Sequence, residues 1–162
     1  MRTRSPLPAD REALGALVAP PTGSPFRPEE ASCALELLEA VLSPSEGNTY
    51  EALLLVDDRD RPIAYACFGQ TPMTDATYDL YWMITEAALR GRGLGGRLLA
   101  ALEESLRGRA ARTLRIETSS LEGQGGARRF YERSGYSVVG LIPDFYRPGD
   151  DLVTLAKRLG AA

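Results

Sequence analysis

The segment Leu89-Arg90-Gly91-Arg92-Gly93-Leu94-Gly95-Gly96-Arg97-Leu98-Leu99 restricts this chain more than any other part of it. Four glycines and three arginines stand between an aromatic-rich strand, Tyr78 to Ile84, and an amphipathic helix that begins near Gly93 and runs to about Arg107. Glycine lets a backbone approach a ligand closely and leaves its amide hydrogen uncovered. The start of a helix adds unpaired N–H groups and the positive end of the helix dipole. Arg90, Arg92 and Arg97 place full charges beside those amides. The segment therefore has the makings of an anion cradle, and its expected guest is a phosphate or pyrophosphate.

Three nucleotide-binding motifs compete for these residues. Gly91 and Gly96 have the outer spacing of a P-loop, but Arg97 and Leu98 occupy the positions where Lys and Ser/Thr must hold phosphate and magnesium. Gly91, Gly93 and Gly96 match G-x-G-x-x-G literally, and Glu117 follows at roughly the 20-residue distance of the dinucleotide fingerprint. In that fold, however, the first glycine follows its strand almost directly, whereas here Thr85 to Arg90 intervene. The chain that remains is also too short to complete a doubly wound sheet. The third match is the fullest: Arg90-Gly91-Arg92-Gly93-Leu94-Gly95 resembles the R/Q-x-x-G-x-G/A motif of the GNAT-type N-acetyltransferase superfamily. Downstream, Ala127-Arg128-Arg129-Phe130-Tyr131-Glu132-Arg133-Ser134-Gly135-Tyr136 is similar to the family's A-x-x-F-Y-x-x-x-G-F/Y signature, in the expected order. Tyr81 to Glu86 looks like the family's fourth strand and the turn that leaves it.

The resemblance implies an α/β (α+β) fold: a mixed, mostly antiparallel sheet flanked by helices and splayed between the fourth and fifth strands. At 162 residues the chain has the length of a single domain with a real core, residues 1–162. No apolar run approaches the ~18 residues that cross a bilayer, and the N-terminal residues lack a secretion signal, so the expected location is cytoplasmic and no membrane partner is expected. A net charge of −3 argues against nucleic acid as a partner. Cys33 and Cys67 form no C-x-x-C pair and are expected to sit as small buried hydrophobes and stay reduced. The chain has no histidine, which removes Ser-His and Cys-His nucleophiles, H-E-x-x-H zinc sites and the usual imidazole base. No metal is expected, and acid–base work falls to carboxylates, tyrosine, cysteine, lysine or water.

Along the chain, Arg2 to Ser5 reads as a short edge strand. Helices are expected from Pro8 to about Val18 and from Pro28 to about Leu42. Tyr50 to Val56 and Ile63 to Gly69 read as a hairpin beside the strand Tyr78 to Ile84. Leu94, Leu98, Leu99, Leu102 and Leu106 make a core stripe on the next helix, with Arg97, Glu103, Glu104 and Arg107 on the opposite face. Thr113 to Thr118 is a strand with Leu114 and Ile116 on one face and Arg115 and Glu117 on the other. A last helix over Gly125 to Ser134 stops at Gly135. Tyr136 to Ile142 and Leu152 to Lys157 are the final strands, joined by the loop Pro143 to Asp151.

The resemblance also implies roles. The co-substrate is acetyl-CoA, with pantetheine along the backbone of Met83, Ile84 and Thr85 and pyrophosphate over Arg90, Gly91, Arg92, Gly93, Leu94, Gly95 and Gly96. Members often hold pantetheine through an Asn seven residues before the signature tyrosine; Gln124 stands there in this chain. Tyr131 matches the tyrosine that protonates the thiolate of CoA. Glu117 is the candidate base for the incoming ammonium, with Asp79 and Tyr81 as rivals on the fourth strand. Pro143 to Asp151 resembles the D-F-Y-x-P-G-D-D stretch of a subgroup sometimes associated with D-Ala-D-Ala ligase, which brings Asp144 and Tyr146 forward as acceptor contacts. Loop Pro20 to Phe26 is the candidate opposite wall. The expected acceptor is a primary amine of a small molecule or a peptide, and pairing into a homodimer through the last strands or the helices is a family habit. A non-catalytic acyl-CoA sensor shares the intact cradle, and only the literal glycine spacing recommends a dinucleotide-binding protein.

Overall fold

The computed structural model describes residues 1–18, 28–43, 45–121 and 126–160. Seven strands form one sheet in the order β1-β2-β3-β4-β5-β7-β6. They are β1 (Arg2–Arg4), β2 (Tyr50–Val56), β3 (Pro62–Gln70), β4 (Thr77–Thr85), β5 (Thr113–Ser119), β6 (Ser137–Arg147) and β7 (Asp150–Arg158). Every pairing is antiparallel except β4 with β5. That parallel pair needs a crossover, and the helix behind the glycine segment provides it. The helices are α1 (Arg11–Val18), α2 (Pro28–Leu42), α3 (Leu94–Arg107) and α4 (Ala127–Arg133). Among the described residues no helix is long and apolar enough to cross a membrane.

The two faces of the sheet carry separate cores. On one face the leucine stripe of α3, from Leu94 to Leu106, packs with Tyr131 and Tyr136 on Ala64, Ala66, Phe68, Leu80, Leu114, Ile116 and Val153. On the other, Leu14, Leu17 and Val18 of α1 and Ala34, Leu38 and Leu42 of α2 pack on Leu54, Val56, Tyr65, Cys67 and Ile84. Strand β3 is buried along both faces up to Gly69, so its residues read as a continuous apolar run rather than an alternating one. Each fully buried leucine in these layers contributes about 1.5–3 kcal/mol.

Three details depart from the sequence reading. Cys33, expected as a small buried hydrophobe, is exposed on α2, whereas Cys67 on β3 is buried. Glu103, expected on the open face of α3, is 5% exposed. Its carboxylate accepts hydrogen bonds from Tyr136 Oη (3.0 Å), Lys157 Nζ (2.7 Å) and Arg107 Nη2 (3.1 Å), and this full set of partners is what permits burial. The stretch Pro143 to Asp151, expected as a loop, mostly continues strand structure: β6 runs to Arg147 and β7 starts at Asp150. The pairing register shifts between Ile142 and Arg147, and Asp144 there takes a positive φ of 52°. The strand-breaking residues in this stretch therefore mark a bulge and a tight tip, and the strands continue past them.

Candidate active site

The site begins where one strand pairing ends. β4 and β5 are hydrogen-bonded from Thr77/Thr113 to Leu80/Ile116 and no further, although β4 runs on to Thr85 and β5 to Ser119. At the same level the β3–β4 register shifts: Cys67 faces Trp82 and Phe68 faces Leu80, so Tyr81 is the extra, bulged residue. A bulge bends its strand and increases the local twist, which turns β4 away from β5. Gly69 makes room for this, since a Cβ there would lie 2.7 Å from the Thr49 carbonyl oxygen and 3.4 Å from the Tyr81 ring. The Tyr81 ring stands edge-on to Tyr50 with centroids 5.3 Å apart.

The strands part around a cleft of about 450 Å³. Asp79 to Met83 line it from β4 and Arg115 to Ser119 from β5, while Tyr131 enters from α4, Glu30 from α2 and Tyr146 from β6. Asp79, Tyr81, Met83, Glu117, Tyr131 and Tyr146, separated by up to 67 positions in the chain, are thus brought to one cavity.

Its polar floor is a chain of charge-assisted bonds. Arg115 Nε donates to Asp79 Oδ1 at 2.5 Å, Thr71 Oγ1 donates to Asp79 Oδ2 at 2.9 Å, and Arg115 Nη1 donates to Glu117 Oε1 at 3.2 Å. Asp79 is 7% exposed and both its oxygens are engaged. Glu117 keeps Oε2 without a partner among the described residues, on a side chain that is 43% exposed. The Asp79 carboxylate raises the pKa of Arg115 by its hydrogen bond and charge, so the guanidinium stays cationic. Burial, reinforced by the Asp79 charge, raises the pKa of Tyr81.

Tyr131 sits at the inner wall, 7% exposed, its ring edge-on to Phe130 and to Tyr136 at 5.1 and 5.7 Å. Its hydroxyl has no hydrogen-bond partner among the described residues. Burial pushes its pKa well above the usual tyrosine value, so the phenol keeps its proton at neutral pH. Gly135, in the left-handed conformation at φ 87°, ends α4 and lets the chain return so that Tyr136 N–H reaches Tyr131 O.

The glycine segment adjoins the open end of β4. Gly91 and Gly93 both take φ 76°, and Gly93 is the N-cap of α3. The first helical bond is Arg97 N–H to Gly93 O, and among the described residues the amides of Gly91 through Gly96 find no acceptor. A Cβ on Gly91, Gly93 or Gly96 would meet nothing within 4 Å, so these positions open onto free space. Uncovered amides, a helix start and open space above them fit a pyrophosphate. Arg92 is exposed and has no partner among the described residues. Arg90 Nε donates to Thr85 O at 3.3 Å.

Other expected contacts fall differently. Arg97, read from sequence as a charge beside the amides, donates to the Met1 carbonyl oxygen at 2.8 Å. Asp144 does not line the cleft: its Oδ1 accepts the Gly149 N–H at 2.6 Å, and its own N–H donates to Asp151 Oδ1, so it ties the β6–β7 hairpin tip. Ile84 turns its side chain into the core with α1 and α2, leaving only its backbone for a cofactor. Gln124 and the loop Pro20 to Phe26 lie outside the described residues. Sequence reasoning missed Gly69, Thr71 and Arg115 as parts of the site. Only the alternation of β5 pointed at Arg115, by placing it on the face of Glu117.

An acetyltransferase (GNAT) domain model matches residues 49–138, more than half of the chain and all of the splayed region. The chain belongs to the GNAT acetyltransferase family. A GNAT-family acetyltransferase from Desulfovibrio desulfuricans is 35% identical over 98% of this chain and 99% of its own, with a TM-score of 0.88. An aminoglycoside 6'-N-acetyltransferase complexed with coenzyme A shares the fold at a TM-score of 0.76 and 18% identity, covering 100% of this chain and 99% of that one. A ribosomal-protein alanine N-acetyltransferase from Escherichia coli does so at 0.75 and 18%, covering 99% and 95%. No curated protein matches this GNAT acetyltransferase in sequence.

Proposed function

We propose that this GNAT acetyltransferase uses acetyl-CoA to acetylate a cationic primary amine by direct transfer, the whole chain acting as one domain. The reading rests on one observation: a carboxylate with an open oxygen, Glu117, and a buried, protonated phenol, Tyr131, line the same cleft. The amides of Gly91 to Gly96 and the Arg92 guanidinium would hold the pyrophosphate, and the open edge of Met83 to Thr85 the pantetheine. Acetyl-CoA supplies the acetyl group as a thioester.

The rest is the work of this chain. Glu117 Oε2 takes the proton from the incoming ammonium, which frees the nitrogen lone pair. Tyr131 holds a proton at Oη for the departing sulfur, and its raised pKa keeps that proton in place until it is needed. Asp79 fixes Arg115, and Arg115 in turn fixes Glu117 through Oε1, so the base is held without being capped. Glu30, Tyr81 and Tyr146 surround the acceptor with negative charge and aromatic surface, which suits an ammonium on a small molecule or a flexible peptide.

The test is release of free thiol from acetyl-CoA across a panel of diamines, aminoglycosides and peptides with free N-termini. Turnover that falls about 100-fold or more in Glu117→Gln, with coenzyme A affinity unchanged, is the expected result. Binding of coenzyme A without thiol release from any amine would instead make the chain an acyl-CoA-binding module.

A further inference from the structure

Of its 19 lysines and arginines this chain has a single lysine, Lys157 on β7. The proposed chemistry makes no use of it, and it does not line the cleft. Its Nζ donates to Glu103 Oε2 at 2.7 Å, to Glu103 Oε1 at 2.9 Å and to the Ser134 carbonyl oxygen at 2.9 Å. An ammonium carries three N–H donors that point apart from one another, and here all three have acceptors. A planar guanidinium on a longer stem does not reproduce that arrangement, which gives a physical reason for lysine in a chain otherwise supplied with arginine.

The acceptors belong to two elements. Glu103 lies on α3, where it also accepts the Tyr136 hydroxyl at 3.0 Å, and Ser134 is the C-cap of α4. Helix α4 has only seven residues, and two turns of helix do not hold themselves in water. Tertiary contacts must fix it, and the ammonium sits at its C-terminal end, the negative end of the helix dipole. The same turn is bonded around Tyr131, whose carbonyl oxygen accepts the N–H groups of Ser134 at 2.9 Å and Tyr136 at 3.0 Å. The Tyr136 ring lies edge-on to Tyr131, and Lys157 Nζ stands over it, 5.4 Å from the centroid. Since the Tyr131 hydroxyl has no hydrogen bond of its own among the described residues, its place is inherited from the backbone and rings around it.

We infer that Lys157, held by Glu103, is a positioning residue for Tyr131: it clamps the last turn of α4 to α3 and β7 and so sets the phenol at the reacting sulfur. The inference rests on Tyr131 being the acid of the proposed function. A reacting group displaced by about 1 Å loses about 100-fold in rate, so a loosened turn shows in kcat. Binding of the cofactor is spared, because Glu103 stands ~15 Å along α3 from the helix start at Gly93.

The experiment is a double-mutant cycle on kcat, read as thiol release from acetyl-CoA with the amine of the panel that turns over fastest. Coenzyme A affinity and melting temperature are measured for each variant. Lys157→Met keeps the stem and removes the ammonium, while Glu103 retains Tyr136 and Arg107 as partners. It is expected to lower kcat about tenfold or more, with coenzyme A affinity held within about twofold, and to lower kcat no further in a Tyr131→Phe background. Glu103→Gln keeps the volume and removes the charge; it is expected to show the same Tyr131-dependent loss, and it carries the test if Lys157→Met does not fold. An unchanged kcat in these variants, where Tyr131→Phe itself is slow, overturns the inference and leaves the proposed function standing. An equal loss in both backgrounds also overturns it, since a general loosening of the fold does not depend on the Tyr131 hydroxyl. An unchanged kcat in Tyr131→Phe, or no turnover with any amine, removes the acid itself and the inference with it.

Discussion

Of the two halves of the proposed site, the glycine segment assigned to the cofactor is made of backbone, and the cleft assigned to the acceptor is made of side chains. In the first, six consecutive amides, two of them on left-handed glycines, find no acceptor among the described residues, and that openness is the feature the assignment depends on. In the second, Thr71, Asp79, Arg115 and Glu117 form a bonded series in which each group is placed by the one before it. The first surface tolerates little added bulk or negative charge but depends weakly on neighbouring side chains. The second depends on every member, and a change at one end is felt at the other.

The largest expected effect falls where the two halves meet. Tyr131→Phe keeps the ring contacts with Phe130 and Tyr136 but removes the proton, so kcat should fall ~10²–10⁴-fold while coenzyme A affinity holds. The sign of its pH dependence follows from the raised pKa: the active form is the neutral phenol, so activity persists through neutral pH and its alkaline limb lies above pH ~10, where an ordinary tyrosine ionises. That limb should vanish in Tyr131→Phe. A kcat that does not change would leave Tyr131 as packing alone.

Next comes the backbone half. Gly96→Glu puts a carboxylate into the open space over the cradle, at a first-turn helix position where the fold accepts it. Like-charge contact of several kcal/mol should weaken coenzyme A binding by about 100-fold or more, with the melting temperature unchanged. Calorimetric titration that shows undiminished affinity would move the pyrophosphate elsewhere.

Asp79→Asn breaks the side-chain half without touching the cradle. Arg115 loses the negative charge of its partner and is freer to cap Glu117 more fully. The KM of the amine should rise about tenfold, or ~1.4 kcal/mol, with coenzyme A affinity intact. An equal loss of both affinities would erase the division between the halves. The smallest effect belongs to Arg92→Ala. One exposed charge of the cradle is removed, so coenzyme A should bind about threefold more weakly at low salt and nearly normally at high salt.

The two halves were also unequally legible. Gly91, Gly93 and Gly96 announce an open backbone directly, because glycine is costly elsewhere and its spacing is local. The strand and helix around them follow from periodicity, and β2, β3, β4, α3 and β5 lie within a residue or two of where the pattern places them. The ion network could not be read in the same way. Whether Arg115 meets Asp79 depends on a parallel pairing across 36 positions of chain, and that register is set by the packing of α3 between the two strands. Glu103 shows the same limit: its place on the helix wheel reads as solvent, and only the approach of Tyr136 and Lys157 from distant elements buries it. Asp144 lies in the hairpin tip and off the cleft lining for a local reason, since a turn-forming aspartate can bond its own hairpin as readily as a ligand.

The sequence by itself determined the family resemblance, the order of the strands and helices, the open glycine segment and the position of the signature tyrosine, because each motif and each element is written in residues within about ten positions of one another. Tertiary structure decided that β4 and β5 part after Leu80, that Tyr81 bulges over Gly69, that Asp79 anchors while Glu117 stays open, and that β6 is left as a bare apolar edge. Each of these depends on which strands become neighbours and in what register. Side-chain chemistry at one position does not carry that information until the sheet has formed.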